Sequence, residues 1–138
     1  MLTQGNDFIS FQFEKGTLNI VVHSKQPTDE EWEETKSILL SYYEAHLKEH
    51  TRFTIVCNLQ NMSLLSVQRT TDWANFFIEN TENTKKCIQY TIFITDSSII
   101  RMSMNVFFNL YTPVCPLAFL NSHDDIQEWV AQNGDKDL

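Results

Sequence analysis

Glycine, proline and cysteine are all scarce in this chain of 138 residues, which has only three of each. Three glycines cannot supply a phosphate-cradling loop, so a nucleotide-hydrolysing or dinucleotide-binding domain is excluded. So few glycines and prolines also leave no composition for a long flexible linker. Cys57, Cys87 and Cys115 are odd in number and widely spaced. That is a poor disulfide framework and fits a reducing compartment. Positive charge is scarce too: 10 Lys and Arg stand against 18 Asp and Glu, for a net charge of −8. Nucleic acid is thereby an unfavourable partner, because its affinity comes from cations that displace counterions. No apolar run approaches the ~20 residues of a membrane span. Met1 to Asp7 has neither the basic nor the apolar part of a secretion signal. The expectation is a single cytoplasmic domain over 1–138, with 135–138 a frayed tail and no cofactor.

What the sequence does contain is regular periodicity. Phe11 and Phe13 alternate with polar neighbours, as do Leu18, Ile20 and Val22, and Gly16 separates the two runs. A period of two broken by a turn residue predicts a β-hairpin. Thr28 with Glu31 three residues on has the form of a capping box, in which each side chain satisfies the other residue's free backbone N–H. The helix it opens carries Trp32, Leu39, Tyr43 and Leu47 on one stripe and runs to about His50. Strands follow at 53–57, 90–94 and 117–120. Between them lie helices opened by Ser66 and by Asp96-Ser97-Ser98, and Ser122 caps a last one. The predicted order is β-β-α-β-α-β-α-β-α, an α/β domain with a mixed, mostly parallel sheet flanked by helices.

In this order, and in Pro113 to Ser122 followed by Ile126-Gln127-Glu128-Trp129-Val130, the chain resembles the STAS domains, the SpoIIAA-like fold of anti-sigma factor antagonists. It is more distantly similar to Sec14-like lipid-binding domains. The resemblance implies a non-catalytic interaction or regulatory module. The STAS phosphorylation motif does not carry over, because Ser66, Val67 and Gln68 stand at the Asp-Ser-Ser positions with no glycine after them. Whether Ser63 or Ser66 is modified is not legible in the sequence.

Catalytic and metal chemistry find little support in the residues. His46 and His50 have metal-compatible i, i+4 spacing but no third ligand, and cationic side chains suit a helix C-terminus in any case. The cysteines read as small core hydrophobes. Asp96, Ser97 and Ser98 mark a strand-to-helix junction where ligands often bind in α/β sheets, with plain capping as the simpler account.

The helix after Ser98 is apolar on two sides. Ile99, Met102, Val106 and Leu110 form a stripe expected to pack on the sheet. Ile100, Met104, Phe108 and Tyr111, with Phe107 between the stripes, make a second face that is either covered by another helix of the chain or exposed, joining Trp73 and Phe76 of the preceding helix as one patch. A helix apolar nearly all round needs cover on both sides, and a sheet in a domain this small covers one. The expected function is protein docking, most simply a homodimer through that patch; the alternative is an apolar small ligand lodged against Met102, Met104, Phe107 and Phe108.

Overall fold

The computed structural model describes residues 3–133; the tail expected at 135–138 lies outside them. Six strands form one sheet in sequential order: β1 (Thr3–Gly5), β2 (Ile9–Glu14), β3 (Thr17–Val22), β4 (Phe53–Asn58), β5 (Ile88–Ile94) and β6 (Leu117–Leu120). The first two pairings are antiparallel and the remaining three parallel. Five helices complete the fold: α1 (Asp29–Glu49), α2 (Val67–Glu79), α3 (Thr81–Cys87), α4 (Ser98–Leu110) and α5 (Ile126–Asn133), the last preceded by a 3-10 turn at His123–Asp125. The α/β class and the mixed, mostly parallel sheet are as read from the sequence. Strand β1 and helix α3 were not expected.

Local chemistry accounts for the element boundaries. Glu14 pairs with Thr17 across a two-residue turn in which Lys15 and Gly16 both have positive φ, 51° and 77°. Such turns match the twist of the strands they join. At the start of α1, Thr28 Oγ1 accepts from the Glu31 N–H at 3.1 Å, and Glu31 accepts from the Thr28 N–H at 2.9 Å. The capping box is formed as expected. His50 ends α1 in the left-handed region. Its neighbour His46 is also structural: Nδ1 pairs with the Tyr42 carbonyl at 2.8 Å, and the ring packs on Phe53 at 4.3 Å.

Sequential strand order decides where the helices lie. Crossovers β3–α1–β4, β4–α2–α3–β5 and β5–α4–β6 all step the same way across the sheet, so crossovers of one hand place all four helices on one face. One core cluster accordingly joins Trp32, Leu39 and Tyr43 of α1, Phe76 of α2, Cys87 of α3 and Ile100 of α4 to Phe11, Leu18, Ile20, Phe53 and Ile55 of the sheet. Helix α5 follows the last strand and crosses over. Its Ile126, Trp129 and Val130 cover Val56, Ile92 and Ile94 on the other face. Four helices crowd one side while a single short helix shelters the other.

Candidate functional site

Helix α4 begins where β5 runs out. Ser97 Oγ accepts from the Ile100 N–H at 3.2 Å, and the Ser97 N–H donates to Thr95 Oγ1 at 3.1 Å. Arg101 then folds back, donating to the Thr95 carbonyl at 3.0 Å and to Asn121 Oδ1 at 2.6 Å, with its guanidinium over the Phe119 ring. At the Asp96-Ser97-Ser98 junction, Ser97 thus serves as the helix cap, while Asp96 and Ser98 face solvent.

The two apolar stripes of α4 are both real, but the sequence expectation of which one faces outward is reversed. Ile100, Phe107 and Tyr111 are at most 7% exposed. Ile99 and Met102 are 62% and 68% exposed, with Leu110 at 46% and Val106 at 37%. Met104, Phe108 and Trp73 are half-buried, and Phe76 is buried. The aromatic set expected as a docking patch is an internal cluster. Phe107 meets Phe77 edge-on at 5.8 Å and Tyr111 at 5.5 Å. Phe108 turns to Phe119 of β6 at 5.9 Å. Trp73 stacks on Phe76 at 5.3 Å and approaches Trp32 of α1 at 5.6 Å.

The physical reason for the reversal is area. Aromatic side chains carry the largest apolar surface per residue, so of two competing stripes the one with Phe107 and Tyr111 gains more by burial. The same weighting operates on α2, where Phe76 is buried while Val67 and Ile78 are 70% and 46% exposed.

Beneath the helices lie two apolar cavities of about 80 and 60 Å3. Both are bounded by Trp73, Phe93 and Phe107, and the larger also by Met104. Above them, α1 and α2 are joined by polar side chains. The Trp32 indole N–H donates to Asp72 Oδ2 at 2.6 Å, and the Lys36 ammonium donates to the same oxygen at 2.9 Å. Arg69 pairs with Asp29 at 2.8 Å and lies over the Trp32 ring at 5.2 Å. This group was missed in the sequence. Its trace there is Arg69 and Asp72 within the polar run Gln68 to Asp72, which does not point to α1 by itself.

Nucleophile chemistry has few footholds. Burial pushes the Cys57 thiol up to about 12, and burial likewise raises Cys87, whose Sγ faces the Tyr43 carbonyl at 3.5 Å. A thiol held protonated is a poor nucleophile. Ser10 Oγ and His23 Nε2 lie 2.8 Å apart, but Ser10 sits within the β2–β3 ladder, where the flanking backbone N–H groups are committed to the sheet and cannot serve as an oxyanion hole. Among the described residues no group of three His, Cys, Asp or Glu is placed to hold a metal. Ser66 caps α2, its Oγ accepting from the Arg69 N–H at 3.1 Å, and the Ser63 hydroxyl bonds the Ser24 carbonyl.

No family model matches the sequence, and no curated protein matches it. Among solved structures the chain is similar to an uncharacterised protein of the DUF3478 family with a SpoIIAA-like fold, from Shewanella loihica PV-4. The TM-score is 0.63 at 15% identity, over 94% of this chain and 98% of that one. The likeness is one of fold, and the STAS-like architecture read from the sequence is the one observed.

Proposed function

We propose that this chain is a non-catalytic protein-docking module, in keeping with its SpoIIAA-like fold, and that the contact face is the outer stripe of α4. The observation that carries the reading is the exposure of Ile99, Met102, Val106 and Leu110 along one helix. Single exposed apolar residues are ordinary, but a contiguous stripe marks an interaction surface. The docking role expected of this helix is kept, while its residues change: those first expected to make the contact hold α4 to its own subunit. Self-association is the simplest form of docking, and the cytoplasm remains the expected setting. A photo-reactive residue at Met102 should give a discrete protein adduct in the producing cells, most simply with a second copy. The same residue at exposed Lys48 of α1 should give none. Equal labelling at both positions, or none at 102, would remove the reading.

The apolar cavities favour a second reading, a small apolar ligand held between the α2–α4 pair and the sheet. Of the four residues expected in a pocket on this reading, Met104 and Phe107 line the larger cavity, whereas Met102 is exposed and Phe108 lines neither cavity. Each cavity is smaller than the roughly 150 Å3 that accommodates benzene in a protein core. A ligand would therefore require the two to merge by movement of Trp73 or Phe107. Native mass spectrometry of freshly prepared protein tests this: a co-purifying apolar mass supports it, and bare chain alone counts against it.

A further inference from the structure

Resting on the second reading above, we infer that the two cavities are halves of one binding site for an uncharged, single-ring apolar molecule, and that Trp32 is the door to it. An open cleft of about 470 Å3 runs between α1 and α2, past Asp29, Arg69, Asp72 and Asn75. Among the described residues Trp32 alone lines both that cleft and the larger cavity. Its ring is therefore the wall between solvent and the interior. The polar clasp between the two helices bears on this one ring. Asp72 accepts its N–H at 2.6 Å, and Arg69, held by Asp29, lies over its face. Trp32 in turn packs on Trp73 at 5.6 Å, and Trp73 bounds both cavities. Outward movement of the Trp32 ring opens the larger cavity. It also removes a neighbour that holds Trp73 across the passage to the smaller one.

The walls select the occupant. Among the described residues no Asp, Glu, Lys, Arg or His lines either cavity. The Thr35, Thr70 and Ser103 hydroxyls reach the larger one, but each donates to a carbonyl one helical turn back: Glu31 at 2.8 Å, Ser66 at 3.0 Å and Ile100 at 2.8 Å. In the smaller one the Tyr43 and Thr84 hydroxyls pair with each other at 3.0 Å. No buried side-chain nitrogen or oxygen among the described residues lacks a partner. A ligand with a charge or a hydrogen-bonding group would give up its water and find no partner here, which is costly. Size sets the rest. Together the cavities approach the roughly 150 Å3 that accommodates benzene in a protein core. Phe8, Phe11, Phe93 and Phe107 offer aromatic edges and faces to such a ring. The larger cavity also reaches Val22 and Leu59, at and just past the carboxyl ends of β3 and β4. That is the end of an open α/β sheet where ligands bind.

Benzene is the probe, titrated into the full chain and followed by the methyl resonances of Met104 in the larger cavity and Leu117 in the smaller. The expected result is saturable shifts at both with one Kd, binding of phenol weaker by about tenfold, and none of benzoate. Exchange line shapes test the door. Asp72→Ala should raise the rates of benzene entry and exit by roughly fivefold or more, whereas Arg101→Ala, which frees α4 from Thr95 and Asn121, should not. Shifts confined to one of the two methyls overturn the merged site, and phenol bound as tightly as benzene overturns the ligand class. Unchanged rates in Asp72→Ala, or equal acceleration by Arg101→Ala, overturn the Trp32 door. No benzene shift, with a co-purifying apolar mass larger than one ring, overturns this inference and leaves the ligand reading standing. No benzene shift with bare chain alone ends both.

Discussion

The indole N–H of Trp32 and the carboxylate of Asp72 meet at 2.6 Å between α1 and α2, two helices whose contact is otherwise made by long side chains. Trp32 is 4% exposed, but its N–H points to a half-exposed carboxylate at an open cleft, where water can take over part of the bond if that acceptor is removed. Asp72→Ala should lower stability by about 0.5–1.5 kcal/mol, the net worth of a hydrogen bond whose donor water can reach. Thermal melts followed by Trp fluorescence would report this, and an unchanged Tm would mean the clasp contributes nothing.

Acid should weaken the same clasp. The Trp32 hydrogen bond, and then that from Lys36, hold the Asp72 carboxyl below its ordinary value. A carboxylate with a depressed folded-state pKa contributes stability at pH above its unfolded pKa, and that contribution is lost as pH falls through the folded one. Asp72→Asn keeps an acceptor for the indole but loses the ion pair. Wild type should therefore exceed Asp72→Asn in stability at neutral pH by a constant margin, and the two should converge as pH falls below the ordinary carboxylate range. A margin that persists in strong acid would contradict this.

Gly5 has φ +138°, and a Cβ there would lie 2.2 Å from the Ile9 carbonyl oxygen. Gly5→Ala must therefore push β1 off β2. Hydrogen exchange should show faster exchange at the amides pairing Gln4 with Phe11, with the parallel half of the sheet unaffected. Unchanged protection would mean the strand tolerates the side chain.

The reversal on α4 has a direct energetic test. Phe107→Ala should cost about 3–5 kcal/mol as a core truncation, whereas Met102→Ala should stay within about 0.5 kcal/mol as a surface change. Chemical denaturation of both variants measures the contrast. Equal costs would mean the two faces are not as described.

Much of this fold was legible because local signals and tertiary packing agree in most elements. The Thr28–Glu31 box, the alternation around Gly16 and the β-branched runs at 53–57 and 90–94 each specify an element by short-range chemistry. The exceptions have physical causes. Thr3-Gln4-Gly5 has no apolar alternation and is a strand only because β2 offers it an edge. Helix α3 is polar and short, and is held by burial of Thr84 and Cys87, with Thr84 Oγ1 3.0 Å from the Tyr43 hydroxyl. On α4 both stripes are apolar, so periodicity could identify a two-sided helix but could not rank its sides. The aromatic weight of Phe107 and Tyr111 was the available signal. The Trp32–Asp72 pair was out of reach because 40 residues separate its members.

Salt distinguishes apolar self-pairing from docking driven by charge. Two copies of net charge −8 repel one another at long range whichever faces they bring together. Raising ionic strength screens that repulsion and leaves the apolar term in place, so self-association should strengthen between 0.05 and 0.5 M salt. Weakening over the same range, followed by light scattering, would indicate ion pairs at the interface instead.

The most direct test of the docking surface is the weight-average mass of the unmodified chain, measured by sedimentation equilibrium from low to high micromolar concentration. A mass rising from that of one chain toward two, and held at one by Met102→Asp, is the predicted result. A single-chain mass at every concentration, identical in both proteins, would contradict self-association through the outer stripe of α4.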